Sequence, residues 1–407
     1  MVDEAQNNLL KISYNVLLLD AFAYWATHKD KSFMVCFDYA LKEHEVQVQK
    51  NGVDFDMPKR DLLKIAINEL KSTAAIQMMC YVYELLYKNY DPSLKYDKKE
   101  FDKLKSNVFE GPNNFNNEQL LTFIRNAVSH NDDMKEPSYD YSILNEVFTF
   151  LPTQKKKDNG MLKVTISEKE LVDLIVVYMK NMNEYKQLGY ILDVDMEKIK
   201  SSKSILNVED FIKLRNIKTG EILSPDENQK KVIKELIEGI RSGYIKEYDN
   251  FNFFYPYKQN ALNNFLRTSD FYHMLNCLYP LRGETFNEYL EKTSRYTPSG
   301  LKEIKNVGDI ASLFMTNRFF QVFSTTPNKV FQENLSKTAE YIKFGKLRNA
   351  IMHGTYYKDL DAGIYIYDAP RENKTEEKLE FVDSFTAEEL EMLSEMFYYT
   401  KHSNSTR

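Results

Sequence analysis

Histidine, cysteine and tryptophan are scarce in this chain of 407 residues, with 6, 3 and 1 copies respectively. Cys36, Cys80 and Cys277 stand far apart, with no CxxC and no Cys/His cluster. That excludes a disulfide framework and a zinc-finger type of site, and predicts reduced thiols in a cytoplasm. With 13 Gly and 11 Pro the chain is neither fibrous nor of low complexity. Long apolar runs are missing as well. The first residues, MVDEAQNN, carry no basic stretch, and VLLLDAFAYW is interrupted by Asp20. The sequence therefore predicts no secretory signal, no membrane span and no membrane partner. An excess of positive charge is absent too: the net charge is −6, with 26 basic against 31 acidic residues in 1–200 and 28 against 29 in 201–407. A polycation that coats nucleic acid is excluded, although a local basic cleft is not.

What remains is a chain with 43% apolar residues, enough for one or two cores. Helical spacing dominates. Pro58 opens PKRDLLKIAINELKSTAAIQMMCYVYELLYKNY, and NEQLLTFIRNAVSH follows from Asn117 with Leu120, Leu121, Ile124, Ala127 and Val128 on one face. Two β-rich runs, 147–151 and 162–166, flank a loop with Asp158-Asn159-Gly160 and predict a hairpin. Ser167 then caps a further helix. The stretch 193–230 is charged and broken, and reads as a connection holding one short helix. Ser224-Pro225 starts an amphipathic helix, KKVIKELIEGIRSGY. Thr326-Pro327 opens another that Gly354 stops. Next come IYIYDA and KLEFVDSF around a polar loop, and a helix capped by Thr386. Each half thus has a helix, a hairpin and a capped helix in the same order, which predicts an internal duplication. The expected domains are 1–195 and 231–407, joined by 196–230.

The halves agree best just before each hairpin. Residues 125–130 read RNAVSH, and residues 348–353 read RNAIMH. With six histidines in the whole chain, two at the same point of one repeated context is not what composition gives. Leu214-Arg215-Asn216 is an instructive decoy, because Gly220 stands where its histidine should be. On a helix Asn126 and His130 share a face, and Arg125 lies about 140° round the axis from His130, within reach of its long stem. An imidazole exchanges protons near neutral pH, and a guanidinium offers a fork of donors that fits a phosphate. Two histidines with two arginines suit the cleavage of an RNA phosphodiester. One histidine activates the ribose 2′-hydroxyl, the other protonates the leaving 5′-oxygen, and the arginines neutralise the charge that builds up on the phosphate.

These two RNxxxH motifs resemble the signature of the HEPN superfamily, small helical domains of metal-independent ribonucleases in toxin–antitoxin, abortive-infection and CRISPR systems. They are similar to the paired motifs of type VI CRISPR effectors. The resemblance covers about thirty residues in each half. It implies a mainly α fold of two HEPN-like helical bundles, each with a small β-hairpin, packed as an intramolecular pseudo-dimer. It implies that Arg125 and Arg348 hold phosphate, His130 and His353 catalyse, and Asn126 and Asn349 support them. RNA is then the substrate, an antitoxin or other regulatory partner is expected, and a homodimer is compatible with the pattern. The products would carry a 2′,3′-cyclic phosphate and a 5′-hydroxyl.

No P-loop, GxGxxG, paired-carboxylate metal motif or nucleophile elbow occurs, so neither a cofactor nor a metal is predicted. The rival expectation is a non-catalytic RNA-binding or interaction protein in which the motifs serve structure, since Arg and His near helix ends also cap carbonyls. Lysines 155–157 are read mainly as a solvated turn, with RNA-backbone contact as the alternative, and Lys343 and Lys346, which flank the second motif, as candidates to steer phosphate. FNFFYPY at 251–257 is read mainly as packing between the halves, and Tyr356 and Tyr357 as side chains near the second histidine. His28, His44 and His402 are read as solvated, and His273 as a core or interface residue.

Overall fold

A computed structural model describes residues 4–28, 30–44, 58–86, 109–110, 117–130, 138–142, 145–153, 163–176, 178, 190–202, 207–216, 221–225, 227–243, 256–278, 284–294, 307–325, 339–359, 363–368, 380–386 and 388–390. The chain is mostly helical with small antiparallel sheets, in line with the mainly α expectation. Among the described residues no helix is long and apolar enough to cross a membrane.

The first half opens with α1 (Glu4–Thr27) and α2 (Phe33–Glu43), which pack together. The long α3 (Lys59–Leu86) and the first motif helix α4 (Asn117–Ser129) follow. A sheet of order β1-β4-β3-β2 comes next, built from Phe109–Glu110, Lys163–Ser167, Val147–Phe150 and Tyr139–Ser142. β3 and β4 form the hairpin expected from the sequence, with Phe148 opposite Ile166 and Phe150 opposite Val164. These four side chains are buried, as alternation in a half-buried strand requires. A helical stretch at 168–176, α5, leaves this sheet.

The second half repeats the plan. α8 (Pro256–Cys277), α9 (Phe286–Ser294), α10 (Val307–Thr325) and the second motif helix α11 (Ala339–His353) precede a meander of order β10-β9-β8. Its strands are Tyr356–Asp359, Gly363–Asp368 and Glu380–Phe385. In both halves the motif helix leads into three antiparallel strands in sequence order and then into a helix start. Both starts are capping boxes. The Ser167 hydroxyl and the Glu170 carboxylate serve each other's backbone N–H, and so do Thr386 and Glu389. Strands β2 and β8 were not expected from the sequence. Each is four residues long and is the first strand after a motif helix, too short to show a periodicity of its own.

Residues 190–241 depart further from the sequence reading. The charged connection contains β5 (Tyr190–Val194), α6 (Met196–Ser201), β6 (Ile212–Asn216) and β7 (Ile222–Leu223), with α7 (Glu227–Arg241) behind them. The strands form an antiparallel sheet of order β5-β6-β7. Ile199, Phe211, Ile212, Leu214, Ile233, Leu236, Ile237 and Ile240 make a small core of their own. Its apolar residues are spread thinly among Lys, Asp and Glu, which hides the pattern. The decoy Arg215 serves here as a strand residue, clamped to Asp193 through two bonds of 2.8 and 2.9 Å.

The main core draws on both halves. Trp25, Phe22, Phe33, Tyr289 and Phe314 interlock at its α1–α2 end. α3 crosses the centre and packs on α8, α1, α10, α11 and α4. The end of α11 is fixed by a Schellman motif: Gly354 takes φ +69° and Thr355 N–H donates to Ala350 O at 2.9 Å. Asn264 of α8 donates to both Gly354 O and Tyr356 O, at 2.7 and 2.8 Å. A Cβ on Gly354 would stand 3.0 Å from the Tyr81 ring of α3. Gly354→Ala therefore adds left-handed strain to a contact that must give way. We expect a loss of about 1–3 kcal/mol in urea unfolding; an unchanged midpoint and slope would show that this turn does not hold the helix end.

Candidate active site

Both motif helices pack on α3 and α10, and their C-terminal ends come together. α4 carries Leu120, Leu121, Ile124, Ala127 and Val128 into the core. His130 continues that helix, its N–H donating to Asn126 O at 2.9 Å. On α11, Leu347, Ala350, Ile351 and Met352 are the buried anchors, and Arg348, Asn349 and His353 are half-buried beside them. In the first motif Arg125 and Asn126 are themselves buried.

Arg125 is the centre of the cluster. Its Nη1 lies 3.0 Å from His130 Nε2 and 3.4 Å from Asn126 Oδ1. Its Nη2 lies 3.4 Å from both ring nitrogens of His353, a residue 228 positions away in sequence. Equal distances place Nη2 midway between the two nitrogens, not in line with either lone pair. A guanidinium can only donate, so the His130 Nε2 facing it bears a lone pair. Cζ of Arg125 also sits 5.2 Å from the centre of the Tyr83 ring, within the range of a cation–π contact.

Glu84, which sequence reasoning missed, completes the arrangement. It is buried on α3, and its Oε1 lies 2.7 Å from His353 Nδ1 and 3.7 Å from Arg125 Nη2. A carboxylate accepting from Nδ1–H leaves the lone pair of neutral His353 on Nε2. The signal for Glu84 was available in CYVYELL: one carboxylate inside an apolar helical run has to find a partner when the run is buried. Next to it, burial pushes the Cys80 thiol up to about 12, against the opposing pull of Arg125. Cys80 is thus a neutral packing group.

The second arginine behaves differently from the first. Arg348 Nη2 donates to the backbone carbonyl of Ser129, at the C-terminal end of α4, and its Nη1 lies 3.5 Å from Asn349 Oδ1. A cation at that place satisfies an orphan carbonyl and complements the helix dipole. The six motif residues thus lie in one cluster, with one arginine between the histidines and the other bracing the helix end before His130.

The remaining candidates fall elsewhere. Tyr356 turns into the core, its hydroxyl 3.4 Å from that of Tyr81. His44 pairs with Asp20 and is only part-exposed, so it is not the solvated residue expected. His28 stacks on Tyr24 at the surface, as expected of a solvated residue. His273 is half-buried, and burial holds its titration below the ordinary imidazole value. Lys346 lies on α11 close to the motif, half-buried. Lysines 155–157, residues 251–255, His402 and the side chains of Lys343 and Tyr357 lie outside the described residues. Among the described residues no three His, Cys, Asp or Glu side chains converge as a metal-ion cage.

No protein-family model matches the chain, and neither the curated proteins nor the solved structures contain a match to it.

The bond from Arg348 to Ser129 makes a testable demand. Arg348→Ala leaves the carbonyl of the buried Ser129 without its charged donor, and should lower stability by about 1–3 kcal/mol. Thermal unfolding measures this, and a melting temperature equal to that of the wild type would remove the bracing role.

Proposed function

We propose that the chain is a metal-independent endoribonuclease whose two HEPN-like units, within 1–195 and 231–407, pack as an intramolecular pair around one composite site. It acts in the cytoplasm, in phage defence or as a growth-arresting toxin, with an antitoxin or other regulator as partner. The observation that carries this reading is the position of Arg125, 3.0 Å from one motif histidine and 3.4 Å from the other. A phosphate drawn to that guanidinium lies within reach of both imidazoles at once.

The chemistry follows from that reach. A phosphodiester of RNA carries its own nucleophile, the neighbouring 2′-hydroxyl. The protein has to remove that proton, stabilise the negative charge on the phosphorane, and protonate the leaving 5′-oxygen. Each positioned proton transfer is worth about 10²–10⁴-fold. Arg125 supplies charge where it accumulates, in a site partly shielded from water. Asn126 and Asn349 lie beside the two guanidinium groups and orient them.

A second reading is favoured by one observation, the bond from Arg348 to Ser129 O. It gives the second motif a structural task, as expected of a non-catalytic RNA-binding or interaction protein. The two readings part in one assay. The purified chain should cleave single-stranded RNA in EDTA, leaving 2′,3′-cyclic phosphate and 5′-hydroxyl ends. His130→Ala and His353→Ala should each slow cleavage about 10²–10⁴-fold with the fold intact by circular dichroism. Expression of the wild type should arrest growth where His130→Ala does not. Retained RNA binding without cleavage, in the test tube and in expressing cells, would decide for the binding protein.

A further inference from the structure

The two motif histidines have unlike neighbours. Behind His353 stands a carboxylate, with Glu84 Oε1 at 2.7 Å from Nδ1. Against His130 stands a cation, with Arg125 Nη1 at 3.0 Å from Nε2. Arg125 also reaches His353, at 3.4 Å, so what separates two RNxxxH segments alike at four of six positions is the carboxylate, which makes the close contact with His353 while the guanidinium makes the close contact with His130. The carboxylate comes from α3, where no motif lies.

The difference maps onto the two proton transfers. A general base ends its step positively charged, and a carboxylate in hydrogen-bond contact stabilises that charge. A general acid starts positively charged and ends neutral, and a neighbouring guanidinium favours that loss. The carboxylate also sets the ring: Nδ1–H points at Glu84, so the lone pair of neutral His353 is on Nε2.

Resting on the ribonuclease reading, we propose that Glu84 divides the labour between the two histidines. His353 is the general base, His130 is the general acid, and Glu84 is a positioning residue that acts through His353. In the step, Nε2 of His353 takes the 2′-hydroxyl proton as the 2′-oxygen bonds to phosphorus. The bond from phosphorus to the 5′-oxygen breaks, and the His130 imidazolium gives that oxygen its proton. His353 ends protonated and His130 neutral, and exchange with water restores both. Arg125 leaves His130 Nε2 for the phosphate oxygens, which match its charge as a neutral imidazole does not. That nitrogen is then open to carry the proton it will donate. Arg348 keeps its place on Ser129 O and holds the backbone beside His130.

The test uses the full chain and two RNA substrates of one sequence. One has the natural 5′-oxygen at the scissile bond, the other a bridging 5′-sulfur, whose thiolate leaves without a proton. His130→Ala should cut the natural substrate about 10²–10⁴-fold more slowly than wild type, yet cut the sulfur substrate at close to the wild-type rate. His353→Ala should stay slow on both. Glu84→Gln should follow His353→Ala, with kcat lowered about 10²-fold and KM unchanged. Glu84→Asp, which keeps the charge, should recover part of the rate and guards against a folding defect. Rescue of His353→Ala in place of His130→Ala reverses the assignment and overturns it, and so does rescue of neither. A Glu84→Gln enzyme with wild-type kcat, or one that responds differently from His353→Ala, removes Glu84 from the scheme. A wild type that cuts neither substrate is a separate result, and it is the ribonuclease reading that then fails.

Discussion

A helix buried over several turns must have its polar groups answered from the elements around it, and α3 does so along one stripe. Residues 72–85 are all buried. Glu69, Thr73, Gln77, Tyr81 and Glu84 follow one another at spacings of four or three, on one face. Glu69 accepts from Gln321 of α10 at 2.8 Å. Thr73 bonds back to Glu69 O, and Gln77 donates to the Tyr81 hydroxyl at 2.7 Å. That hydroxyl donates to Ile351 O of α11 at 3.0 Å, and Glu84 accepts from His353. Three of the five thus end on the second half of the chain. Each broken partnership would cost about 1–3 kcal/mol. Sliding α3 by one turn, about 5.4 Å, would break all three at once. Apolar packing alone tolerates such slips, whereas this stripe does not. The register that puts Glu84 against His353 follows from it.

Within that frame the site concentrates charge in a partly dry place. Arg125 and Glu84 are both buried, 3.7 Å apart, and neither could be removed cheaply. Breaking a buried pair by deleting one partner costs about 3–5 kcal/mol. Their pairing is nevertheless loose, because Glu84 makes its close contact with His353. Arg125 is spread over two imidazoles, an amide and a tyrosine face, none of them charged when the histidines are neutral. A phosphate oxygen is a better partner than any of these. The net charge of −6 does not oppose such an encounter, since the guanidinium acts at contact distance while scattered surface charges are screened over about 8–10 Å.

Much of this was legible in the sequence where local rules decide. Both motif helices, the two hairpins, the helix caps at Ser167 and Thr386 and the stop at Gly354 are each written in a few neighbouring residues. What was not legible depends on residues brought together from afar. β2 and β8 are strands because a hairpin is there to pair with. The small core at 199–240 is diluted by charged neighbours. Glu84 takes its meaning from a histidine 269 positions later. The different tasks of Arg125 and Arg348 were hidden for the same reason. Their hexapeptides agree at four positions, and the difference comes from what each end meets.

The repeat and its breakdown belong together. Helix, three-stranded meander and capping box recur in both halves with the same strand order. The links from motif to meander do not match. Gly354 and Thr355 alone join His353 to β8, held by Asn264 and pressed against Tyr81. From His130 to β2 there are eight intervening residues, 131–138. The second histidine is thus fixed tightly by its own backbone turn and by Glu84. At the end of the first motif helix, the Ser129 carbonyl beside His130 is held by Arg348. A site of two equivalent histidines would face a substrate whose ends are not equivalent, because one oxygen of the proposed phosphodiester must lose a proton and the other must gain one. Two copies of one motif can meet that demand only if their surroundings differ, and the carboxylate on α3 is where the surroundings differ most.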